Sequence, residues 1–339
     1  MYNFISIDVA KSTLQVYIPI KDENISIQND KKTIASLYSN LKKYYKKEYK
    51  NLVFIFEPTG PYSNILKHFC ANKNIFCFIV NPRQSSNFAK ALNNRSKTDI
   101  IDAKMLYEFR IMAKKEDIRV PVIDNLQENL GEMLSFYKLL QKQRLAFSGH
   151  LESLESKDGN QFIIKQIKKD IKSLKNQENQ LIEQMKELIH SKEELAQKFN
   201  YIKTIKGLGD LSGIVLIHLF ISYPNANRQQ ITALSGLDSI EHSSGTSIQR
   251  KSRISKKGSS IYRSILFMPV LCAIRSNPYM KAFYDRLKEN GKHSTLAQIA
   301  VMKKLVLIAH SLYKNNLEFD SSLYEKRVSW NEEKTENIA

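Results

Sequence analysis

Two short apolar runs, Phe4–Val9 and Leu52–Glu57, constrain the fold of this chain more than any other feature, because each is almost continuously hydrophobic yet carries one acid, Asp8 or Glu57. Runs of that length and density read as strands buried on both faces, in a sheet covered by helices. A carboxylate flanked by residues that favour burial is poorly explained as a solvated surface group. Edge acids at turns are the alternative for either one alone. Further strand patterns fall at Leu14–Pro19, Ile25–Gln28 and Phe76–Val80, with helical patterns at Thr33–Lys47 and Tyr62–Ala71. The short connections between the first three strands suit an antiparallel meander. After a polar, basic stretch at Asn93–Lys97, a helix is expected from about Thr98 to Ala113.

Three strands, a helix, then alternating strand and helix is the order of a ribonuclease-H-like α/β domain. Asp99 and Asp102 lie three residues apart on the expected helix, so their side chains share a face. Acids in a first helical turn also suit the positive helix terminus, so Asp99 has a second explanation as a cap or dipole partner. Ala103, small enough for close packing, follows Asp102. Four carboxylates, Asp8, Glu57, Asp99 and Asp102, are hard oxygen ligands suited to magnesium. Such a set can hold two ions about 3.5–4 Å apart for phosphodiester chemistry. Manganese is a plausible substitute, and Lys11 and Lys97 are candidate phosphate contacts.

Lys+Arg 52 against Asp+Glu 34 gives a formal charge of +18, which favours a polyanionic partner. Clustering says more than the sum. Arg83, Lys90, Arg95 and Lys97 form one acid-free group, and Arg250, Lys251, Arg253, Lys256, Lys257 and Arg263 form another. The cysteines Cys70, Cys77 and Cys272 have neither zinc nor disulfide spacing, which fits a reducing cytoplasm. No secretory signal is visible, no apolar run is long enough to span a membrane, and no Gly-rich nucleotide loop appears.

From Asp124 to Phe199 the sequence becomes long, polar and helical. Ile167, Ile171, Leu174, Glu178, Leu181, Met185 and Leu188 alternate steps of four and three, a coiled-coil seam. A break at Ser156–Asn160 suggests an antiparallel hairpin or an oligomerising arm, and a helix packed on its own domain remains open. Beyond Tyr201, Gly207 and Gly209 in a turn between helices resemble a helix-hairpin-helix phosphate site, though a plain glycine turn explains them as well. The expected domains are 1–120, 121–199, 200–318 and a polar, mobile tail over 319–339 that carries Trp330.

The motifs Ile7-Asp8-Val9-Ala10-Lys11, Glu57-Pro58-Thr59-Gly60-Pro61-Tyr62, Asn81-Pro82 and Lys97-Thr98-Asp99-x-x-Asp102-Ala103 together resemble those of the DEDD transposases. These are recombinases of the insertion-sequence family numbered one hundred and ten, related to the pilin-gene invertases. Ala233-Leu234-Ser235-Gly236-Leu237, Ser243-Ser244-Gly245 and Arg253-Ile254-Ser255-Lys256-Lys257-Gly258 resemble the second domain of that family.

The resemblance implies a RuvC-like N-terminal domain, a helical coiled-coil arm and a mainly α C-terminal domain. It implies that Ser244 forms a covalent phosphoserine link to DNA, activated by the carboxylate site of a neighbouring subunit. It further implies donor and target DNA, a noncoding bridge RNA, and a dimer assembling to a tetramer in a bacterial cytoplasm, at the nucleoid when active. From the residues alone, a serine in a polar glycine-bearing loop is usually a turn former, and Ser243 is a second candidate nucleophile. His242 beside it is a possible helper or a plain surface histidine. Transposition is therefore weighed against site-specific inversion or a junction nuclease on the same acids. A catalytically silent nucleic-acid-binding protein is the alternative of another class.

Overall fold

The computed structural model describes residues 2–91, 99–244 and 248–322, with residues 99–101, 241–244 and 248–252 described in backbone only. The chain divides into two compact units, Met1–Asp124 and Asn125–Ala339.

The first unit runs β1 (Asn3–Val9), β2 (Thr13–Ile18), β3 (Glu23–Gln28), α1 (Lys31–Tyr45), β4 (Leu52–Phe56), α2 (Asn64–Lys73), β5 (Phe76–Ile79), α3 (Pro82–Ala91), α4 (Asp99–Phe109) and β6 (Ile118–Arg119). The sheet order is β3-β2-β1-β4-β5-β6. The first three strands form the expected antiparallel meander, β4 joins β1 in parallel and β5 joins β4 in parallel. Period-two alternation divides the strand residues between two cores. Ile5, Ile7, Leu52, Phe54 and Phe56 pack with α1 and α2 residues such as Ile34, Leu37, Leu66 and Cys70. Val53, Ile55 and Phe78 pack with Met105, Leu106 and Phe109 of α4. Helices on both faces explain the near-continuous hydrophobicity of β1 and β4. This is the ribonuclease-H-like α/β arrangement that the element order implies.

Helix α3 was not expected from sequence. Asn81 starts it: its Oδ1 accepts from the Arg83 backbone N–H at 3.0 Å, and Pro82 occupies the first turn, where a missing N–H costs nothing.

The second unit is helical. Helices α5 (Asn125–Glu155) and α6 (Gln161–His190) are joined across Ser156–Asn160, with Asn160 Oδ1 accepting from Phe162 N at 2.9 Å to start α6. Then follow α7 (Glu193–Lys203), α8 (Asp210–Ser222), α9 (Arg228–Leu234), the hairpin β7 (Ser239–Ser244) and β8 (Ile248–Ile254), α10 (Ser260–Ser276), α11 (Pro278–Glu289) and α12 (Ser294–Asn315). The helical hairpin is the form that the break at Ser156–Asn160 suggests.

Its base shares one core with the later helices. Leu130, Leu134 and Tyr137 of α5 and Leu181, Met185 and Ile189 of α6 belong to the same buried cluster as Phe199, Ile214, Leu266 and Val306. The expected boundary near residue 199 therefore runs through continuous packing. Glu178, on the expected seam, is 6% exposed and accepts from Arg144 Nε of α5 at 2.8 Å.

The expectation that no apolar run is long enough to span a membrane needs correction: α12, with 22 residues, is long and apolar enough by length and composition. Its burial explains that composition, since Val301, Met302, Leu305, Val306, Ala309 and Leu312 all lie in the helical core. Residues beyond Ser322, including Trp330, lie outside the described residues.

Candidate active site

Parallel pairing sets the first half of the site. The register β1–β4 aligns Ile7 with Phe56, so one step further brings Asp8 beside Glu57, the residue immediately after β4. By strand alternation Asp8 shares a face with Ser6, and Glu57 shares a face with Val53 and Ile55. That face is covered by α4. Ser6, fully buried, donates from Oγ to the Ala103 carbonyl at 2.7 Å, and Ala103 is itself fully buried. The small residue after Asp102 thus lets α4 lie close on β1, and the Ser6 bond fixes its height one residue from that acid.

Asp8, Glu57 and Asp102 line a single cavity of about 450 Å³ together with Ser85, Lys90 and Met105. All three acids are partly exposed, as a site open to substrate requires. The loops after the two strands are tied by one residue that sequence reasoning passed over. Asn29 Nδ2 donates to Ala10 O at 3.0 Å and to Tyr62 O at 2.9 Å, linking the segment after Asp8 to the segment after Glu57. Gly60, at φ +52°, makes the turn between Glu57 and Tyr62 that this link needs.

An all-carboxylate donor set suits a hard divalent cation such as magnesium. Among the described residues no three or more His, Cys, Asp or Glu stand close enough to hold a metal ion. Asp99 begins α4, three residues before Asp102, and its side chain lies outside the described residues, as does Lys97 altogether. The exposed Lys11 and Arg83 do not line the cavity; Lys90, on α3, does.

In the second unit, Ser243 and Ser244 close a strand rather than sit in a loop, with Ser243 opposite Gln249 and Ser244 opposite Ile248. The sequence gave no sign of the hairpin because its strands have almost no apolar face: between Ser239 and Ile254 the described strand residues include only Ile240, Ile248 and Ile254 as hydrophobes. Arg250 pairs opposite His242 in backbone, and Arg253 opposite Ile240.

Two transposase family profiles match the chain. Residues 5–154 match one described as a transposase and named for the DEDD domain of IS110, and residues 200–285 match the "Transposase IS116/IS110/IS902 family". The chain carries both domains of an IS110-family transposase. Over most of its length it is also similar to the pilin gene-inverting proteins of Moraxella bovis and Moraxella lacunata. Each is 27% identical over 331 residues, which cover 95% of this chain and 99% of the relative. The chain is thus a transposase-family DNA recombinase, and its family implies DNA substrates and dependence on a divalent metal.

Within the second transposase domain the structure shows what several of the expected contact residues touch in the chain itself. Arg263 donates from Nη1 to the carbonyls of Ser235 at 2.8 Å and Gly258 at 3.0 Å, so it clamps the base of the hairpin. A Cβ at Gly236 would collide with that guanidinium, and one at Gly258 with the Leu234 carbonyl. The Ser255 hydroxyl donates to Asp238, and Ser255 N donates to Asp238 O at 2.8 Å, closing the strand ends. Lys256, at φ +54°, and Lys257 are exposed just beyond, as is Arg253. The side chains of Arg250 and Lys251 lie outside the described residues.

In the turn Ile205–Gly209 the two glycines have different surroundings. Gly207 has φ +104°, and a Cβ there would stand 2.5 Å from Ala273 Cα of α10, so this glycine permits close packing of the turn on that helix. Gly209 is open, but the next residue is Asp210, whose carboxylate lies 2.5 Å from Lys203 Nζ and 3.1 Å from Lys186 Nζ. Lys203 holds the Asp210 carboxyl below its ordinary range against the opposing effect of burial. An anionic side chain at the start of α8 already uses the favourable helix terminus.

Proposed function

We propose that this chain cuts and rejoins DNA strands by transesterification, with Asp8, Glu57, Asp99 and Asp102 as the metal-binding acids and Ser244 as the nucleophile. The observation that carries the reading is the convergence of Asp8, Glu57 and Asp102 on one cavity, from two adjacent parallel strands and the helix that covers them. Magnesium held by these carboxylates would supply Lewis-acid polarisation of the phosphodiester oxygens. The Ser244 hydroxyl attacks phosphorus, the Oγ–P bond forms and the P–O bond to the leaving deoxyribose oxygen breaks. The serine proton leaves to a base, and the departing oxygen takes up a proton. Attack by a strand-end hydroxyl on the phosphoserine reverses these steps and frees the serine, so bond energy is retained and no nucleotide cofactor is consumed.

The exposed Arg253, Lys256 and Lys257 beside the hairpin suit phosphate contact. Guidance by an element-encoded RNA, assembly from several copies and action at the bacterial nucleoid belong to the same reading through the family resemblance. Similarity over most of the chain to pilin gene-inverting proteins favours one second reading, inversion of a segment between paired sites by the same chemistry. A plasmid carrying the two sites in inverted orientation separates the outcomes: inverted product supports inversion, and excised element supports transposition.

The chemical step is tested by denaturing the protein after reaction with labelled DNA ends and magnesium. Label that stays on the wild-type chain and is lost in Ser244→Ala supports the phosphoserine link. Label that persists in Ser244→Ala refutes the assignment of that residue. Co-purification of one transcript that is required for target choice supports RNA guidance, and full target choice by RNA-free protein refutes it.

A further inference from the structure

Helix α3 separates two cavities of the first unit. Ser85, Ala89 and Lys90 face the carboxylate cavity, whereas Asn81, Gln84, Asn87 and Phe88 line a second cavity of about 680 Å³ on its other side. Positions 81, 84, 87 and 88 follow the three- and four-residue spacing of one helix face, so this lining is a continuous stripe of amides ending in an aromatic ring. The floor is aromatic: Phe88 meets Phe109 edge-on at 5.1 Å, and Phe109 stacks on Phe78 at 6.0 Å. Ile79 and Met112 at the rim are 39% and 57% exposed, unusually open for such side chains beside a cavity.

The charge of the cavity argues against a phosphate. Its wall carries Lys114 and Arg119 but also Glu116 and Asp117, a balanced set in a chain of formal charge +18. What remains is an apolar floor with side-chain amides above it. Amides offer donors and acceptors together. Asn81 Oδ1 is engaged by Arg83 N, which leaves its NH₂ group as a donor, and Gln84 and Asn87 are exposed. A flat, uncharged ring with donors and acceptors on its edge matches that lining. Unpaired nucleobases are bound in this way, over apolar or aromatic side chains with their edges hydrogen-bonded. The volume lies within the range of small-ligand sites.

We infer that this cavity receives an unstacked nucleobase from the strand whose phosphate enters the carboxylate cavity. A helix is about 10 Å across with its side chains, so the two cavities lie within reach of neighbouring nucleotides on one strand. The inference rests on the reading of the carboxylate cavity as the cleavage site. It gives the amide face of α3 the task of holding the strand by one extruded base while the other face lies at the cut.

The test uses the full chain with DNA ends that carry 2-aminopurine at single positions on either side of the cut, and the same probe in an RNA strand of matching sequence. A several-fold rise in emission at one or two adjacent DNA positions is expected on binding. Gln84→Leu with Asn87→Leu, both exposed positions, is expected to abolish the rise, and Asp102→Asn to keep it while cutting stops. Bound and cutting protein with no bright DNA position overturns the inference, as does a rise confined to the RNA strand or one unchanged in the leucine variant. Brightening by wild-type protein that, supplied with magnesium and the element's RNA, still does not cut refutes the carboxylate reading and leaves the base cavity standing.

Discussion

Gly207→Ala distinguishes packing from phosphate binding at the turn before α8. The added Cβ would stand 2.5 Å from Ala273 Cα and 2.6 Å from its N, both backbone atoms that no side-chain rotation can move. The residue also sits at φ +104°, where an L side chain is strained by roughly 1–2 kcal/mol. Overpacking a filled core adds about 1–3 kcal/mol. Together the expected loss is on the order of 2–5 kcal/mol, a large share of the 5–15 kcal/mol typical of a folded domain. Urea unfolding followed by far-ultraviolet circular dichroism would then show the helical transition moved down by roughly 1–2 M. Ala273→Gly in the same chain is not expected to restore it, because the two closest atoms belong to the backbone. Gly209→Ala, with open space around it, is expected to change stability by less than about 0.5 kcal/mol. The reasoning is refuted if Gly207→Ala unfolds like wild type and instead loses affinity for DNA.

Arg144→Ala should cost about 3–5 kcal/mol by leaving the buried Glu178 without its cation, whereas Arg144→Leu with Glu178→Leu should be neutral or stabilising; equal losses in the two chemical-denaturation curves would contradict this. Asn29→Asp keeps the shape but removes both donors to Ala10 and Tyr62, so it should lower strand cleavage with a stability loss of about 1–3 kcal/mol, and unchanged cleavage rates would show that the tie does not position the acids. Burial pushes the His218 imidazole down to about 4 from an ordinary value of 6.5. Protons bind the unfolded chain first, so its contribution to stability is complete above about pH 6.5 and falls by roughly 3 kcal/mol as pH drops toward 4. His218→Phe should flatten that part of the pH–stability curve, and an unchanged slope would refute the assignment.

The carboxylate cavity was readable because β1 and β4 are buried on both faces, which makes Asp8 and Glu57 conspicuous interruptions. Ala103 marked the close approach of α4, although only the structure shows Ser6 as the group that holds it. Helix α3 was missed since its apolar content is low, yet Asn81-Pro82 is a start signal that a cap-first reading would find. Nothing in sequence reports Arg144 as the partner of Glu178, because the pair forms between helices 34 positions apart. For Gly207 and Arg263 the sequence left packing and phosphate contact both open, for a common reason. Glycine and arginine are chosen both for phosphate and for tight turns, and only the neighbours Ala273, Ser235 and Gly258 decide between them.

The central claim is that Asp8, Glu57 and Asp102 act as one site in strand cleavage. Single-turnover cleavage of labelled DNA ends in magnesium, measured for Asp8→Asn, Glu57→Gln, Asp102→Asn and the triple variant, tests it most directly. Groups that act as a unit are not additive, so each single variant should lose at least about 10³-fold in rate while binding DNA normally, and the triple should be little slower than any single. Near-normal cleavage in any one of the three, or losses that multiply through to the triple, would contradict the account.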